Sequence, residues 1–257
     1  MKEYLSMKSK LKSYRALAGR RIAEEFVKDR LLLYYLILLI AGLFLSTAQL
    51  VMGAEDGVVN GYSLIILLIV PPLEIFFVAR ARSECKGKNV RQWGIMFLVA
   101  FVIFTFITFF AITGYIGLFF AAESRVFENG ALNLVLRADA ETTELVSFTM
   151  TEVLVMLGML LSCLYYFFMG FSLRQLGKML DTEEIKRGTF LPTALVILLM
   201  TAETLIENVQ NIFTLTAFTP ADIAGLLSVI CTIASQSLIA ILFLRTWREW
   251  RAQDHLN

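Results

Sequence analysis

Long apolar runs alternate with short polar segments over most of this chain. Six runs are long enough to cross about 30 Å of hydrocarbon as helices that rise about 1.5 Å per residue. They cover residues 31–52, 62–79, 93–120, 145–173, 190–218 and 223–244. The pattern predicts an all-α, polytopic integral membrane protein with a transmembrane domain of six helices over residues 31–244.

The 30 residues before the first run follow a different period. Apolar side chains recur there every three or four positions, and basic side chains occupy the intervening faces. This spacing is typical of an amphipathic helix that lies on an anionic membrane surface. We interpret it as an interfacial helix that anchors the topology, and the alternative is a docking surface for a cytoplasmic partner. The apolar positions are Leu11, Tyr14, Ala18, Ile22 and Phe26.

Positive charge is distributed unevenly between the segments that join the runs. Of the 23 Lys and Arg residues, 21 lie in the N-terminal 30 residues, after the second and fourth runs, or in the tail 245–257. The other segments contain Arg125 and Arg137. Basic residues collect on the cytoplasmic side of a membrane, so both termini are predicted to be cytoplasmic, in agreement with an even number of spans. The predicted location is the cell membrane, with an extracellular loop at residues 121–144.

Composition supports a membrane protein and removes several classes of chemistry. The chain is 58% hydrophobic and 18% charged, whereas a soluble domain is about 45–50% apolar and about 25% charged. The single histidine, His255, lies in the polar tail, and the three cysteines are far apart. We therefore expect no metal site and no cofactor. Motifs for nucleotide binding or hydrolysis are absent, so an enzyme is less favoured than a non-enzyme, and nucleic acid is not an expected partner.

The predicted extracellular loop contains Asn129-Gly130 between flanks rich in apolar residues. Asn-Gly in this setting is a signal for a two-residue turn in a β-hairpin. One interpretation is therefore a small hairpin in this loop. The other, which the sequence favours slightly, is an irregular segment that lies against the lipid headgroups.

The fifth run carries polar side chains where lipid-facing residues are expected. On a helical wheel, with about 100° per residue, they gather on one side. Lipid cannot form hydrogen bonds with them, so this side must face protein or water, and a carboxylate inside a membrane is a functional-site hypothesis by default. The polar residues are Glu203, Thr204, Glu207, Asn208, Gln210, Asn211 and Thr214. The apolar side holds Leu198, Leu205, Ile206, Val209, Ile212 and Phe213.

Two further acids lie in other runs. Glu74 follows Pro71-Pro72 in the second run. Proline removes a backbone donor, so we expect a kinked or broken helix that is buried or lines a cavity there. Glu152 lies in the outer third of the fourth run. We predict that Glu74 lies opposite the acids of the fifth run.

Several functions fit this polar set. The favoured one is a small transporter or channel-like subunit whose acids bind a cation or carry protons. No Lys or Arg lies deep in a run, so the acids lack an evident ion-pair partner, which favours protonated glutamates or a bound cation. A second interpretation is hydrogen bonding that holds the helices together. A third is contact with another membrane chain, as in an assembly or immunity subunit.

The layout of six spans with cytoplasmic termini and a preceding amphipathic helix resembles a permease subunit of the ATP-binding-cassette class in architecture alone. That resemblance implies a separate cytoplasmic ATPase as partner, besides the lipid bilayer itself. An inverted repeat of three plus three spans is a further hypothesis, because the second and fifth runs occupy matching positions and both carry acid.

Overall fold

A computed structural model describes residues 2–53, 61–128, 131–137, 143–148, 150–185, 187–214 and 219–255. Within these residues the fold is all-α apart from one small antiparallel sheet. The helices are α1 (Lys2–Lys28), α2 (Arg30–Met52), α3 (Gly61–Glu84), α4 (Gly87–Ala121), α5 (Met150–Leu180), α6 (Phe190–Thr214) and α7 (Pro220–His255). The strands are β1 (Ser124–Glu128), β2 (Ala131–Arg137) and β3 (Thr143–Phe148).

Four helical segments in the described residues are long and apolar enough to cross a membrane. They are Arg30–Met52, Gly87–Ala121, Val155–Leu180 and Pro220–Gln253, and a shorter apolar stretch covers Phe190–Ile206. These four segments agree with the first, third, fourth and sixth predicted runs. The fold is therefore that of a membrane-like helical protein.

Helices α2 to α7 pack in a closed ring that follows chain order. Each helix contacts the next one along the chain, and α7 returns to contact α2. Helix α1 packs against α5 and α7, and also contacts α2 and α3. It thus lies across one end of the ring, which we call the loop end because the α1–α2, α3–α4 and α5–α6 connections meet there.

The loop end contains the most densely packed core. Trp93, Phe97, Leu173, Phe190 and Phe243 have at most 1% of their surface exposed. They belong to one continuous cluster of buried side chains, to which every helix contributes. This cluster holds the helices together at the loop end through close packing of its side chains.

Helix α1 belongs to this core through its second half. Ile22 and Phe26, which the sequence predicted to face lipid, are each 3% exposed, and the Phe26 ring centroid lies 5.1 Å from that of Phe243. Both therefore pack against protein and not against lipid. The reason is that α7, with 36 residues, is about 54 Å long and offers them an apolar surface near its C-terminal half. Tyr14 and Leu17, nearer the N-terminus, are exposed.

Asp29 connects three helices at the loop end. Its Oδ1 accepts a hydrogen bond of 2.8 Å from the amide of Leu31 and so caps the N-terminus of α2. Its carbonyl accepts from the Arg82 guanidinium of α3, and its Oδ2 lies 3.3 Å from Nη1 of Arg245 in α7. One residue thus fixes the start of α2 relative to α3 and α7.

Glycines allow α4 and α5 to pack closely. A Cβ added to Gly94 would lie 2.7 Å from the carbonyl oxygen of Gly170, and one added to Gly170 would lie 2.9 Å from the carbonyl oxygen of Gly94. Gly87 and Gly177, seven residues before and after this pair, make an equally close contact. A spacing of seven residues returns to the same helix face after about two turns, and small residues on such a face bring membrane helices together.

Small and polar residues also close the ring between α2 and α7. The hydroxyls of Ser46 and Ser228 are 2.6 Å apart, and Gln49 lies against Gly225, where a Cβ would come 2.6 Å from its Nε2. Interhelical hydrogen bonds of this kind stabilise helix pairs in lipid. The contact brings the first and last helices of the ring together.

The predicted extracellular segment folds as a sheet. Strands β1 and β2 are antiparallel, with Glu128 paired with Ala131 across residues 129 and 130, which lie outside the described residues. The hairpin is confirmed, and the irregular segment that the sequence slightly favoured is wrong, because cross-strand pairing satisfies the backbone groups of this stretch. Arg125 joins the sheet to α4, since its guanidinium donates to the carbonyl of Phe119 near the helix C-terminus.

The third strand changes one predicted boundary. Residues Thr143–Phe148 pair with β2, so the fourth run, predicted from residue 145, begins as a strand. Helix α5 starts at Met150 and continues to Leu180. An apolar segment alone does not show whether its first residues form a helix or a strand. Here the first residues of the run alternate between apolar and polar, as in a half-buried strand.

Candidate functional site

Glu74 is the best-defined of the acids that the sequence places in the predicted spans. It lies in α3 and only 8% of its surface is exposed. The hydroxyl of Tyr35 in α2, itself 2% exposed, donates a hydrogen bond to Oε1 of Glu74. A buried carboxyl group without such a partner would be strongly disfavoured, so Tyr35 is what allows the acid to remain inside the ring.

Aromatic residues of α5 complete the surroundings of Glu74. The Tyr165 side chain is near enough to Tyr35 to interact with it. The Tyr165 ring packs edge-on against Phe97 at 5.6 Å between centroids. Glu74, Tyr35 and Tyr165, which we call the Glu74 cluster, thus bring side chains of α3, α2 and α5 together.

Helix α3 is not broken at its prolines. The structure has one continuous helix from Gly61 to Glu84, with Pro71 and Pro72 inside it. Of the two expected outcomes, a kink or a break, the break is therefore wrong. Their fixed φ near −65° is compatible with a helix, and helices in membranes tolerate proline when neighbours compensate for the lost backbone bonds. Glu74 therefore lies within a helix that packs against α2 and α4.

Glu203 lies against a glycine of the neighbouring helix. A Cβ added to Gly158 in α5 would come 2.6 Å from Oε1 of Glu203. Gly158 thus leaves room for the carboxyl group between α5 and α6. Glu203 and Thr204 are half-buried, whereas Leu198 and Leu205 are exposed. The two exposed leucines belong to the apolar side of the wheel, and the two half-buried residues belong to its polar side.

The remaining predicted residues of α6 are described less completely. Asn208 is half-buried and donates a hydrogen bond of 2.8 Å to the carbonyl of Thr204, four residues earlier on the same helix. The side chains of Glu207, Gln210 and Asn211 lie outside the described residues, as does that of Glu152 in the first turn of α5. Their predicted places in a path stay predictions.

Glu203 and the Glu74 cluster meet the same face of α5. Glu203 contacts Gly158, and the Glu74 cluster includes Tyr165. These two α5 positions are seven residues apart, so they share one face of the helix at an axial separation of about 10 Å. Glu74 itself lies on α3, which packs against α2 and α4, while Glu203 lies on α6, which packs against α5 and α7. Helix α5 therefore connects the two acids.

The sequence pointed to the acids but missed their partners. Tyr35 and Tyr165 each lie in a Tyr-Tyr pair within an apolar run, and a hydroxyl in such a run requires a hydrogen-bond partner when buried. That rule could have singled them out. Gly158 carries no comparable signal, because a glycine inside a membrane helix does not by itself indicate what it contacts.

The chemistry available is that of protonatable oxygen atoms. A carboxyl group hydrogen-bonded to a tyrosine can hold a proton inside lipid, and carboxylate with hydroxyl oxygens can also bind a hard cation. Among the described residues, no group of three or more His, Cys, Asp or Glu side chains could hold a metal ion.

Comparison of the chain with protein-family models, with curated proteins and with solved structures finds no match in any of the three.

Proposed function

We propose that this chain is a small membrane transporter or channel-like subunit that is linked to protons or to a cation through its intramembrane glutamates. The observation that carries the proposal is the shared face of α5, against which both Glu203 and the Glu74 cluster lie. An acid inside a membrane is rarely retained without a functional role. Two such acids along one face of a helix are what a path through the ring requires.

The proposed arrangement in the membrane has six spans, with both termini in the cytoplasm. The lengths of α2 to α7 support it, since the shortest, α2, has 23 residues and is about 34 Å long, enough for about 30 Å of hydrocarbon. The closed ring of six helices is consistent with this number. The excess of Lys and Arg in the segments at the loop end favours the cytoplasm on that side.

In the proposed mechanism, Glu74 and Glu203 each take up and release a proton or bind the cation with their oxygen atoms. The hydroxyl of Tyr35 donates to Glu74, and Tyr165 of α5 lies beside Tyr35. About 10 Å along α5 separates Tyr165 from the contact of Glu203 at Gly158, a gap that water or polar side chains of α6 must bridge. Glu207, Asn208 and Asn211 are the predicted residues for the outer part of the path.

Flux measurements in liposomes test this proposal. The purified protein is reconstituted, and movement of H⁺, Na⁺ and K⁺ is followed with dyes under an imposed diffusion potential. Glu74→Gln and Glu203→Gln keep the shape of each side chain and remove its charge, so both should reduce the flux to the leak of empty liposomes. Glu128→Gln, on the exposed strand β1, is the matched control and should behave as wild type. Wild-type flux in both intramembrane variants would contradict the proposal.

An alternative function, a membrane subunit that binds another chain, is favoured by one observation. All five residues of β1 are exposed, and Phe127 is 73% exposed. An exposed edge strand that presents apolar side chains such as Phe127 is a ready surface for pairing with another protein. Under this alternative, Phe127→Glu would release a partner that co-purifies in fixed ratio, and Glu74→Gln would leave that complex intact.

A further inference from the structure

A groove of about 660 Å³ lies between α3 and α4. Its walls are apolar over almost their whole length, and Gln92 provides a polar side chain at the loop end. The volume is typical of a site for a small ligand. Because the flanking helices belong to the membrane region, the contents of this groove come from the bilayer or from another membrane protein.

The dimensions of the groove fit one acyl chain. On α3 it extends from Phe77 to Ile69, about 12 Å, and on α4 from Gln92 to Ile107, about 22 Å, at 1.5 Å per residue. One leaflet supplies about 15 Å of hydrocarbon, half of the bilayer core. The groove is therefore long enough for the part of a lipid chain that lies in one leaflet.

Positive charge surrounds the loop end of the groove. Lys88 lies one turn before Gln92 on α4, and Arg80 lies one turn after Phe77 on α3. Lys86 is between them, and Glu84, at 3.3 Å from Arg80 and 3.2 Å from Lys86, is the acid of this segment. Three cations and one carboxylate leave a net charge of +2. Lys88 is exposed and forms no ion pair within the described residues.

We propose that the groove binds one acyl chain of an anionic phospholipid of the leaflet at the loop end. The chain lies along α4 between Gln92 and Ile107, and the phosphate is held by Lys88 and Arg80. Basic residues next to a membrane helix attract anionic headgroups, and the apolar walls retain the chain. This inference goes beyond the proposed function, because it depends on the groove and its basic residues and not on Glu74 or Glu203.

Lipid retention measures this binding directly. The full-length protein is reconstituted into vesicles of equal parts phosphatidylglycerol and phosphatidylcholine, extracted in mild detergent, and analysed intact by mass spectrometry. Ala100→Trp fills the groove, and Gly117→Trp places the same ring on α4 where nothing lies within 4 Å of the added Cβ. Lys88→Glu reverses the charge at the loop end, and Arg248→Glu, on an exposed part of α7, is its control.

The expected result is retention of phosphatidylglycerol in preference to phosphatidylcholine by the wild type and by both controls. Ala100→Trp should lower retention at least about fivefold, because it removes apolar contact along the chain, and Lys88→Glu should abolish the preference between the two lipids. Equal retention of both lipids by wild type, or equal losses in Ala100→Trp and Gly117→Trp, would overturn the proposal. A dimer that Ala100→Trp dissociates would also overturn it. If Ala100→Trp does not fold, an unchanged preference for phosphatidylglycerol in Lys88→Glu would overturn the proposal.

Discussion

Gly94 offers the sharpest test of the fold, because a methyl group at this position would meet backbone atoms that cannot rotate away. In Gly94→Ala the new Cβ would lie 2.7 Å from the carbonyl oxygen of Gly170 and 2.9 Å from the amide nitrogen of Arg174. Ordinary contact for a Cβ begins at 3.4 Å. Helices α4 and α5 must therefore move apart by about 0.7 Å, the difference between 3.4 and 2.7 Å.

The energetic cost follows from that separation. Added atoms in a packed interface destabilise a protein by about 1–3 kcal/mol, while replacement of glycine by alanine in a helix contributes up to about 1 kcal/mol of stability. Gly114→Ala, on the same helix, has nothing within 4 Å of the added Cβ, so it keeps the gain without the clash. The two variants should differ by about 1–3 kcal/mol, or roughly 2–12 °C in Tm at 2–4 °C per kcal/mol.

The assay is thermal unfolding in detergent, followed by the fraction of protein that stays monodisperse after heating. Gly94→Ala should melt below Gly114→Ala. In a double variant, Gly94→Ala and Gly170→Ala should cost less together than the sum of the single effects, because one helix separation relieves both contacts. A Tm for Gly94→Ala equal to or above that of Gly114→Ala would refute the close α4–α5 contact.

Three further variants test other parts of the structure by the same melting assay. Tyr35→Phe removes the donor to Glu74 and should cost about 1–3 kcal/mol; an unchanged Tm would mean that Tyr35 is not its partner. Asp29→Ala removes the cap of α2 and should cost about 0.5–2 kcal/mol of stability. Asp29→Asn keeps a capping oxygen and should lose less stability than Asp29→Ala, and equal losses in the two variants would argue against the cap. Burial, followed by repulsion from Glu25, raises the pKa of Glu249 in the folded protein. Protonated Glu249 is therefore favoured in the folded state, and the stability that it contributes is lost as the pH rises through the folded pKa. Glu249→Gln should therefore melt above wild type at pH 7 and match it below about pH 4; a difference independent of pH would contradict this sign.

The polar side of α6 illustrates how much of the candidate site could be predicted. A wheel drawn from the sequence separates Glu203 from Leu198 and Leu205, and the structure exposes the two leucines. The wheel could not identify Gly158 as the contact of Glu203, because that pairing depends on how α5 and α6 are rotated about their axes. Tyr35 was missed for the same reason, since 39 residues separate it from Glu74.

Apolar length and charge bias along the chain determined the class of protein and most of its helices, because lipid admits few backbone structures and each must satisfy its own hydrogen bonds. The tertiary structure decided the rest. It placed Ile22 and Phe26 of α1 in a protein core, turned residues 143–148 into a strand, and brought Glu203 and the Glu74 cluster to one face of α5. These outcomes depend on which helix lies beside which, and apolar residues of similar size do not encode that choice locally. The choice of neighbouring helix is set by close contacts between positions that are distant in the sequence, such as Gly94 and Gly170.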